Sequence, residues 1–483
     1  MAAPTSSNRM TEGPIGKKII KFALPLFLGN LFQQLYNVAD TLIVGNLLGN
    51  QALAAVSSTG SLIFVLVGFF GGIFTGAGVV ISRYFGAKDE KRMQLAIHTA
   101  LAFGIAAGVL VMILGGLFTP QILVLMDTPP EVLAASITYV RVYFLGALGL
   151  VLYNTCMGIM QAVGDSKHPL EYLIISSVLN IILDIVMIAV FQMGVGGAAL
   201  ATILSQFISV ALCLARLVRV NESYRVHLTK IRFDRFMLKL IIQYGLPSGI
   251  QNSIIGIANV VVQANINAFG EMAMAGCGAY AKIEGFAFLP ITSFTQALTT
   301  FVGQNLGARE YERTKKGARF GILCSVLIAE LIGVAIFASA PLLISAFTQE
   351  PEAIRFGADK ARICALFYFL LAFSHCISAV LRGAGRAMVP MVTMLAFWCV
   401  IRVSFLAVMV PVIQSIAVVN WVYPLTWSKC SSLPVFIVFC DQCHTDQNED
   451  HQYKGHTAAR VPVTSLFKFL LNNITDQENL TST

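Results

Sequence analysis

Residues 170–191 read LEYLIISSVLNIILDIVMIAVF, an apolar run in which only Glu171, at its start, and Asp184 ionise. About 20 apolar residues suffice for a helix to cross roughly 30 Å of hydrocarbon, so this stretch has the length of a membrane span. Period-two alternation is absent, which argues against a membrane β-barrel. Similar blocks recur along the whole chain. Boundaries read from charge and from Pro or Gly clusters place twelve spans, at about 19–46, 53–82, 95–119, 134–160, 170–191, 195–217, 240–268, 275–303, 318–346, 360–381, 388–412 and 417–440.

Composition agrees with that reading. The 483 residues are 56% hydrophobic and only 12% charged, about half the share usual for soluble domains. So few charges do not cover a water-facing surface, which excludes disorder, coiled coil, collagen and a water-soluble enzyme. The fold class is an all-α polytopic membrane protein. Its first apolar run, Ile19 to Leu48, is too long for a removable signal peptide and lacks a small-residue cleavage site, so a retained helix is expected.

The net charge of +8 lies on alternate connections. Lys17, Lys18 and Lys21 precede the first span; Arg83, Lys88, Lys91 and Arg92 follow the second. Arg216 through Lys239 form a basic centre, and Arg309 through Arg319 follow the eighth span. The intervening connections carry Asp127, Glu131, Glu271, Glu350 and Glu352, with Arg355 as the exception. By the positive-inside rule both termini and the central loop are expected in the cytoplasm. The basic charge is thus a topology signal, and no nucleic-acid partner is expected.

An internal repeat divides the chain. Gly86 and Gly307, Arg92 and Arg313, Pro130 and Pro351, Gly164 and Gly385, and Pro169 and Pro390 are each separated by 221 positions, and Pro25 and Pro247 by 222. Two six-helix lobes follow, at 19–217 and 240–440, joined by a basic linker at 218–239. A short segment, 1–18, precedes them and a polar tail, 441–483, follows. Because six is even, both lobes enter the membrane in the same sense, and their pseudo-twofold axis runs along the membrane normal.

Polar residues inside the spans point to function. Asp40 lies within Tyr36-Asn37-Val38-Ala39-Asp40-Thr41, and Asp184 follows Asn180 by one helical turn. A carboxylate at the centre of a membrane helix costs about 2.5 to 3.5 kcal/mol, so each acid needs partners, a proton or a bound cation. Oxygen atoms of Asp40, Asn180, Asp184 and Thr202 suit a hard cation such as Na+, or a proton shared by the two acids; a buried network that only fixes helix packing is the bland alternative. Under the repeat these positions become Val262, Ile401, Phe405 and Tyr423, so one ion site in the first lobe is expected. The second lobe has Glu284, Glu330 and Arg402, read either as a structural Glu–Arg pair or as a second coupling site. Gln34, Tyr36, Tyr139, Asn154 and Ser177 are expected to line a cleft among Phe and Met side chains, a lining suited to varied amphipathic ligands. Pro25 invites a bend in the helix that carries Asp40.

The combination of Pro25-Leu26, Asn37-Val38-Ala39-Asp40-Thr41, Phe85-Gly86-Ala87-Lys88, Gln161-Ala162-Val163-Gly164-Asp165, Gly303-Gln304-Asn305-Leu306-Gly307-Ala308-Arg309 and Tyr423-Pro424-Leu425-Thr426-Trp427 resembles the multidrug and toxic compound extrusion (MATE) transporters. The likeness runs from about residue 14 to 427. It implies two six-helix lobes, cytoplasmic termini, and export of cationic or amphipathic small molecules in exchange for H+ or Na+. It also implies that Asp40, Asn180, Asp184 and Thr202 match the family's first-lobe cation site. A bacterial cytoplasmic membrane, a monomer, contact with membrane lipids and no bound cofactor complete the expectation. The end of the chain departs from the family, for Ser428-Lys429-Cys430-Ser431-Ser432 is expected to interrupt the twelfth helix and leave it incomplete.

Other motifs carry less. Cys440, Cys443 and His444 spell a haem-attachment pattern without further haem ligands, and with His451 and His456 they lack the second Cys pair of a zinc site. Asn473 and Asn479 sit in glycosylation sequons, which mean little on a cytoplasmic tail. Neither H-E-x-x-H, G-x-S-x-G nor a Walker A loop occurs, so no enzymatic or ATP-driven chemistry is expected. Two alternatives to an antiporter stand. A flippase for lipid-linked carbohydrate should have a cleft rich in Arg and Lys, whereas the basic residues here fall in loops. An intramembrane aspartyl protease built on Asp40 and Asp184 lacks the expected G-x-G-D context.

Overall fold

A computed structural model describes residues 9–126 and 128–445. The side chains of Cys440, Cys443 and His444 are not described, and His451, His456, the sequons at Asn473 and Asn479, and Asp127 lie outside the described residues. Among the described residues the regular structure is helical. The first half comprises α1 (Ile15–Leu48), α2 (Asn50–Gly86), α3 (Glu90–Leu125), α4 (Pro130–Leu145), α5 (Ala147–Ala162), α6 (Lys167–Ile185) and α7 (Gly194–Arg219). The second comprises α8 (Arg235–Asn267), α9 (Glu271–Gly307), α10 (Tyr311–Ser345), α11 (Pro351–Ala365), α12 (Tyr368–Gly383), α13 (Met388–Met394), α14 (Arg402–Ile413) and α15 (Ile416–Thr445).

Each of the twelve expected spans falls on a helix or a helix pair. Among the described residues, seven helical segments are long and apolar enough to cross a membrane, or nine when each bent pair is one span. Helices α1, α8 and α15 are 34, 33 and 30 residues long but are not among them. In α1, Asn30, Gln33, Gln34, Asn37 and Asp40 dilute the hydropathy, and in α8 Gln251, Asn252, Gln263, Asn265 and Asn267 do the same. The expected interruption at Ser428–Ser432 is absent: α15 continues as helix to Thr445. Ser and Lys carry only modest helix penalties, which neighbouring turns readily outweigh.

The repeated residues turn out to be hinges and caps. Pro130 and Pro351 open α4 and α11 at first-turn positions, where the missing N–H costs nothing. Gly164 and Gly385 adopt φ of +86° and +78°, as do Lys88 and Arg309 at +57° and +63°, closing equivalent turns. Both halves also bend in the same place, by 48° between α4 and α5 and by 54° between α11 and α12. Bending exposes backbone donors, and hydrocarbon offers them no partner. Glu330 of α10 meets this need by accepting from the Phe369 N–H at 3.1 Å. That places Glu330 at the bend rather than beside Arg402.

By packing, the chain forms two units. Among the described residues, one holds Arg9 with 21–256 and the other 10–20 with 257–445, so the boundaries fall inside α1 and α8. In the first unit, Gly72 and Gly76 of α2 lie against Gly249 and Gly245 of α8 so closely that an added Cβ would strike backbone atoms. Small residues four apart let two helix backbones touch, and dispersion rather than the hydrophobic effect supplies the attraction in lipid.

The basic linker is docked, not loose. Val226 donates its N–H to Leu217 O at 2.9 Å, and Gln94 reaches the Arg225 carbonyl at 3.0 Å. His98 faces Gln94 O through Nδ1 at 2.7 Å and accepts from the His227 N–H through Nε2 at 3.1 Å. Those two contacts require neutral His98 with its hydrogen on Nδ1. Asp234 then caps α8, accepting from the Met237 N–H at 2.9 Å. Desolvation, together with Lys230, Arg225 and His98, holds the His227 imidazole below the usual histidine range. Buried Tyr224 and Val226 seat the same segment on the core of Ile81, Ile97 and Leu101.

Two outcomes follow from this packing. Gly72→Ala should destabilise the protein by about 1 to 3 kcal/mol because backbone cannot yield, whereas Gly116→Ala, with open space around it, should be neutral or mildly stabilising; thermal unfolding in detergent reads the difference. His98→Leu should free the linker, raising its cleavage by trypsin at Arg225, Lys230 and Arg232. His227 is the histidine held low in the folded linker, and its contribution is lost as pH falls, so acidifying from about pH 7.5 to 5 should speed cleavage in wild type and little in His227→Gln.

Candidate functional site

Four helices of the first unit, α1, α4, α6 and α7, carry the polar residues singled out in the sequence. Asp184 is fully buried near the end of α6, Asn180 one turn earlier is 1% exposed, and Thr202 on α7 is 8% exposed. Asp40 on α1 is half-buried. Asp40 of α1 and Asp184 of α6 lie close enough for each carboxyl to act on the other. Ionised carboxylates only accept hydrogen bonds, so two neighbouring acids call for a proton or a cation between them.

Asn180 completes the bridge to α7. With its amide oriented to satisfy both ends, Nδ2 donates to Asp184 Oδ2 at 2.8 Å and Oδ1 accepts from the Thr202 N–H at 3.1 Å. The Thr202 hydroxyl donates to Ala198 O at 3.1 Å. After these bonds, Oδ1 of Asp40 and Oδ1 of Asp184 remain buried without a hydrogen-bond partner. Two orphaned carboxyl oxygens beside an amide and a hydroxyl are a donor set that fits a small hard cation or an added proton. Among the described residues no group of three or more His, Cys, Asp or Glu side chains could hold a metal, which sets this site apart from a structural metal centre.

Of the residues expected to line a cleft, Tyr36 and Tyr139 belong with the acids. Tyr139 is buried and stacks on Tyr143, ring centroids 6.3 Å apart. Gln34 accepts from Asn37 at 3.4 Å, and Asn154 donates to Leu150 O at 2.8 Å, each within its own helix. Ser177 is half-buried on α6, three residues before Asn180. Tyr143 is a neighbour that sequence reading missed; its i, i+4 relation to Tyr139 was the available signal. A π-helical stretch, Val186–Val190, begins two residues after Asp184. Such wide turns interrupt the regular i→i−4 ladder and recur at functional sites.

The second unit is built differently. Arg402 is fully buried at the start of α14, directly after a π-helical stretch at Leu395–Ile401. Its Nη2 donates to Thr426 Oγ1 at 2.7 Å, and its guanidinium lies over the rings of Trp398 and Tyr423 at 4.4 and 4.8 Å. Neither Glu284 nor Glu330 forms an ion pair with it among the described residues. The reading of all basic side chains as loop residues also fails here, for Lys360 on α11 is only 3% exposed. Its neighbours Gly357, Ala358 and Ala361 leave room for the long side chain among aromatic rings, and no sequence spacing announces that.

Comparison with known proteins agrees with this architecture. The family model MatE matches residues 25–186 and again residues 247–408, one copy in each half. The probable multidrug resistance protein YpnP of Bacillus subtilis is 30% identical over 406 residues, covering 82% of this chain and 89% of that protein. The probable multidrug resistance protein YoeA of the same organism is 28% identical over 403 residues, covering 82% and 87%. A solved structure described as the outward-facing conformation of a multidrug resistance MATE family transporter has the same fold, with a TM-score of 0.84 at 24% identity over 92% of this chain and 100% of that one. With two matched halves, each beginning at its own helix proline, this chain belongs to the MatE family of multidrug and toxic compound extrusion transporters.

Proposed function

We propose that this protein is a secondary antiporter that exports amphipathic small molecules, cationic ones among them, in exchange for H+ or Na+. The observation that carries the reading is the neighbouring acids Asp40 and Asp184, each with an unpartnered buried Oδ1, beside Asn180 and Thr202 inside one unit. A buried acid pair is expensive unless its charge is neutralised, and a proton or Na+ is the smallest agent that does so. Uptake of the coupling cation would favour one arrangement of the two lobes and cargo the other, so each displaces its rival by differential affinity. The multidrug names of the relatives support small-molecule export as the process.

In the protonated state the two acids would share a hydrogen. In the ionised state the orphaned Oδ1 atoms of both acids, the Asn180 carbonyl oxygen and the Thr202 hydroxyl would supply oxygen ligands. Na+ needs that ligand set, whereas H+ needs only the two acids. The membrane would hold both termini and the linker on the cytoplasmic side.

Reconstituted vesicles test this directly. Asp40→Asn and Asp184→Asn should each lower gradient-driven ethidium efflux roughly tenfold or more, on the scale of coupling free energies between sites. Efflux in both variants at the wild-type rate under the same gradient refutes the assignment. Thr202→Val separates the ions: under Na+ coupling the half-saturating Na+ concentration should rise about tenfold, the worth of ~1.4 kcal/mol. Under H+ coupling, efflux should follow a pH gradient without sodium and change little in that variant.

A further inference from the structure

The two units carry polar clusters at equivalent positions of the repeat, and their charges are opposite. Under the 221-residue offset Tyr139 corresponds to Lys360, Ser177 to Trp398, Thr202 to Tyr423 and Ser205 to Thr426. Where the first unit holds two acids, the second buries two cations. Lys360 Nζ lies 4.9 Å from the centre of the Tyr423 ring, and Arg402 Cζ lies 4.8 Å from the same centre. The acid of this cluster, Glu284, is only half-buried and accepts from the Tyr280 hydroxyl at 3.4 Å. It pairs with neither cation, so two positive groups share one aromatic ring with no carboxylate in contact.

Glu284 acts on both cations only at a distance, so one carboxylate stands against two buried positive charges, which is costly, and like charges beside one ring repel. Aromatic faces recover part of that cost. They leave hydrogen-bonding capacity unused: Nε and Nη1 of the fully buried Arg402 have no partner. A guanidinium with free N–H groups matches the planar oxygen pair of a carboxylate, and Lys360 adds a second positive charge. Around them stand Tyr280, Tyr368 and Trp427, each at most 1% exposed, with the Tyr280 and Tyr368 hydroxyls 2.9 Å apart. Such walls favour an aromatic body over a strongly hydrated inorganic ion.

We propose that the second lobe contains a binding site for an aromatic carboxylate, with Arg402 and Lys360 taking the carboxylate group and the surrounding Tyr and Trp rings the aromatic body. As a statement about cargo this rests on the transport reading above: the export substrate would then include aromatic acids. Binding itself can be measured without any ion gradient, so its failure and a failure of cation coupling are separate results.

All three tryptophans of the chain, Trp398, Trp421 and Trp427, lie in this lobe, so intrinsic emission reports on it. The full-length protein in detergent is titrated with benzoate, with the uncharged isostere benzamide, and with inorganic phosphate. Benzoate should give a saturable change about tenfold tighter than benzamide, and phosphate none. Arg402→Gln should abolish the benzoate response, and Lys360→Gln should weaken it about tenfold. No saturable response to benzoate, equal affinity for benzoate and benzamide, binding of phosphate alone as a phosphate-handling flippase would show, or an unchanged benzoate titration in both variants overturns the proposal. Should either variant fail to fold, the benzoate and benzamide comparison on wild type still decides.

Discussion

The structure depends on one constraint: hydrocarbon offers no partner to a polar group, so each one that enters must bring its own. The constraint acts first on the backbone. Among the described residues the regular elements are helices, which satisfy their peptide groups internally. Where a helix breaks, a side chain is recruited, as Glu330 is for the Phe369 N–H. It acts next on the side chains, and the few that ionise are gathered into clusters instead of being scattered through the apolar matrix.

Within one duplicated scaffold, the clusters solve that constraint in two ways. Asp40 and Asp184 are set beside each other, with Asp184 braced by Asn180 against α7. Arg402 and Lys360 instead rest on aromatic faces and one threonine hydroxyl. The equivalence Thr202 to Tyr423 is instructive, because the same helix position serves a hydroxyl ligand in one unit and an aromatic platform in the other. In both units a π-helical stretch abuts the buried ionic residue, ending at Ile401 before Arg402 and starting at Val186 after Asp184. Widening the helix there alters which side chains share a face without bending the chain as proline would.

The fold was legible because its signals are long-range averages. Apolar blocks of span length and a constant 221-residue offset survive any local irregularity, and they placed the helices and the two halves, though not the bends between α4 and α5 and between α11 and α12. The acid cluster was legible too, since Asn180 and Asp184 announce a shared face by spacing alone. Lys360 was not, because a lysine near a span end reads as an interfacial anchor and only packing reveals its burial. Glu330 and Arg402 were visible as charges at depth, but pairing them by sign ignored the competing claims of a broken helix end and of aromatic rings. The π-helical stretches carry no proline or glycine signature in their sequence. Likewise, the polar run after Trp427 looked like a stop, yet intrinsic propensity is a weak force against a helix already propagating.

Because the unit boundaries fall within α1 and α8, neither half of the duplicated sequence is a self-sufficient module. The first half needs the opening turns of α8 to seat Gly72 and Gly76, while residues 10–20 belong with the second. Severing the chain in the linker would therefore leave one fragment without a helix it packs on and the other bereft of its leading segment. The ancestral doubling has become irreversible in this sense, the two copies having traded pieces that neither can reclaim alone.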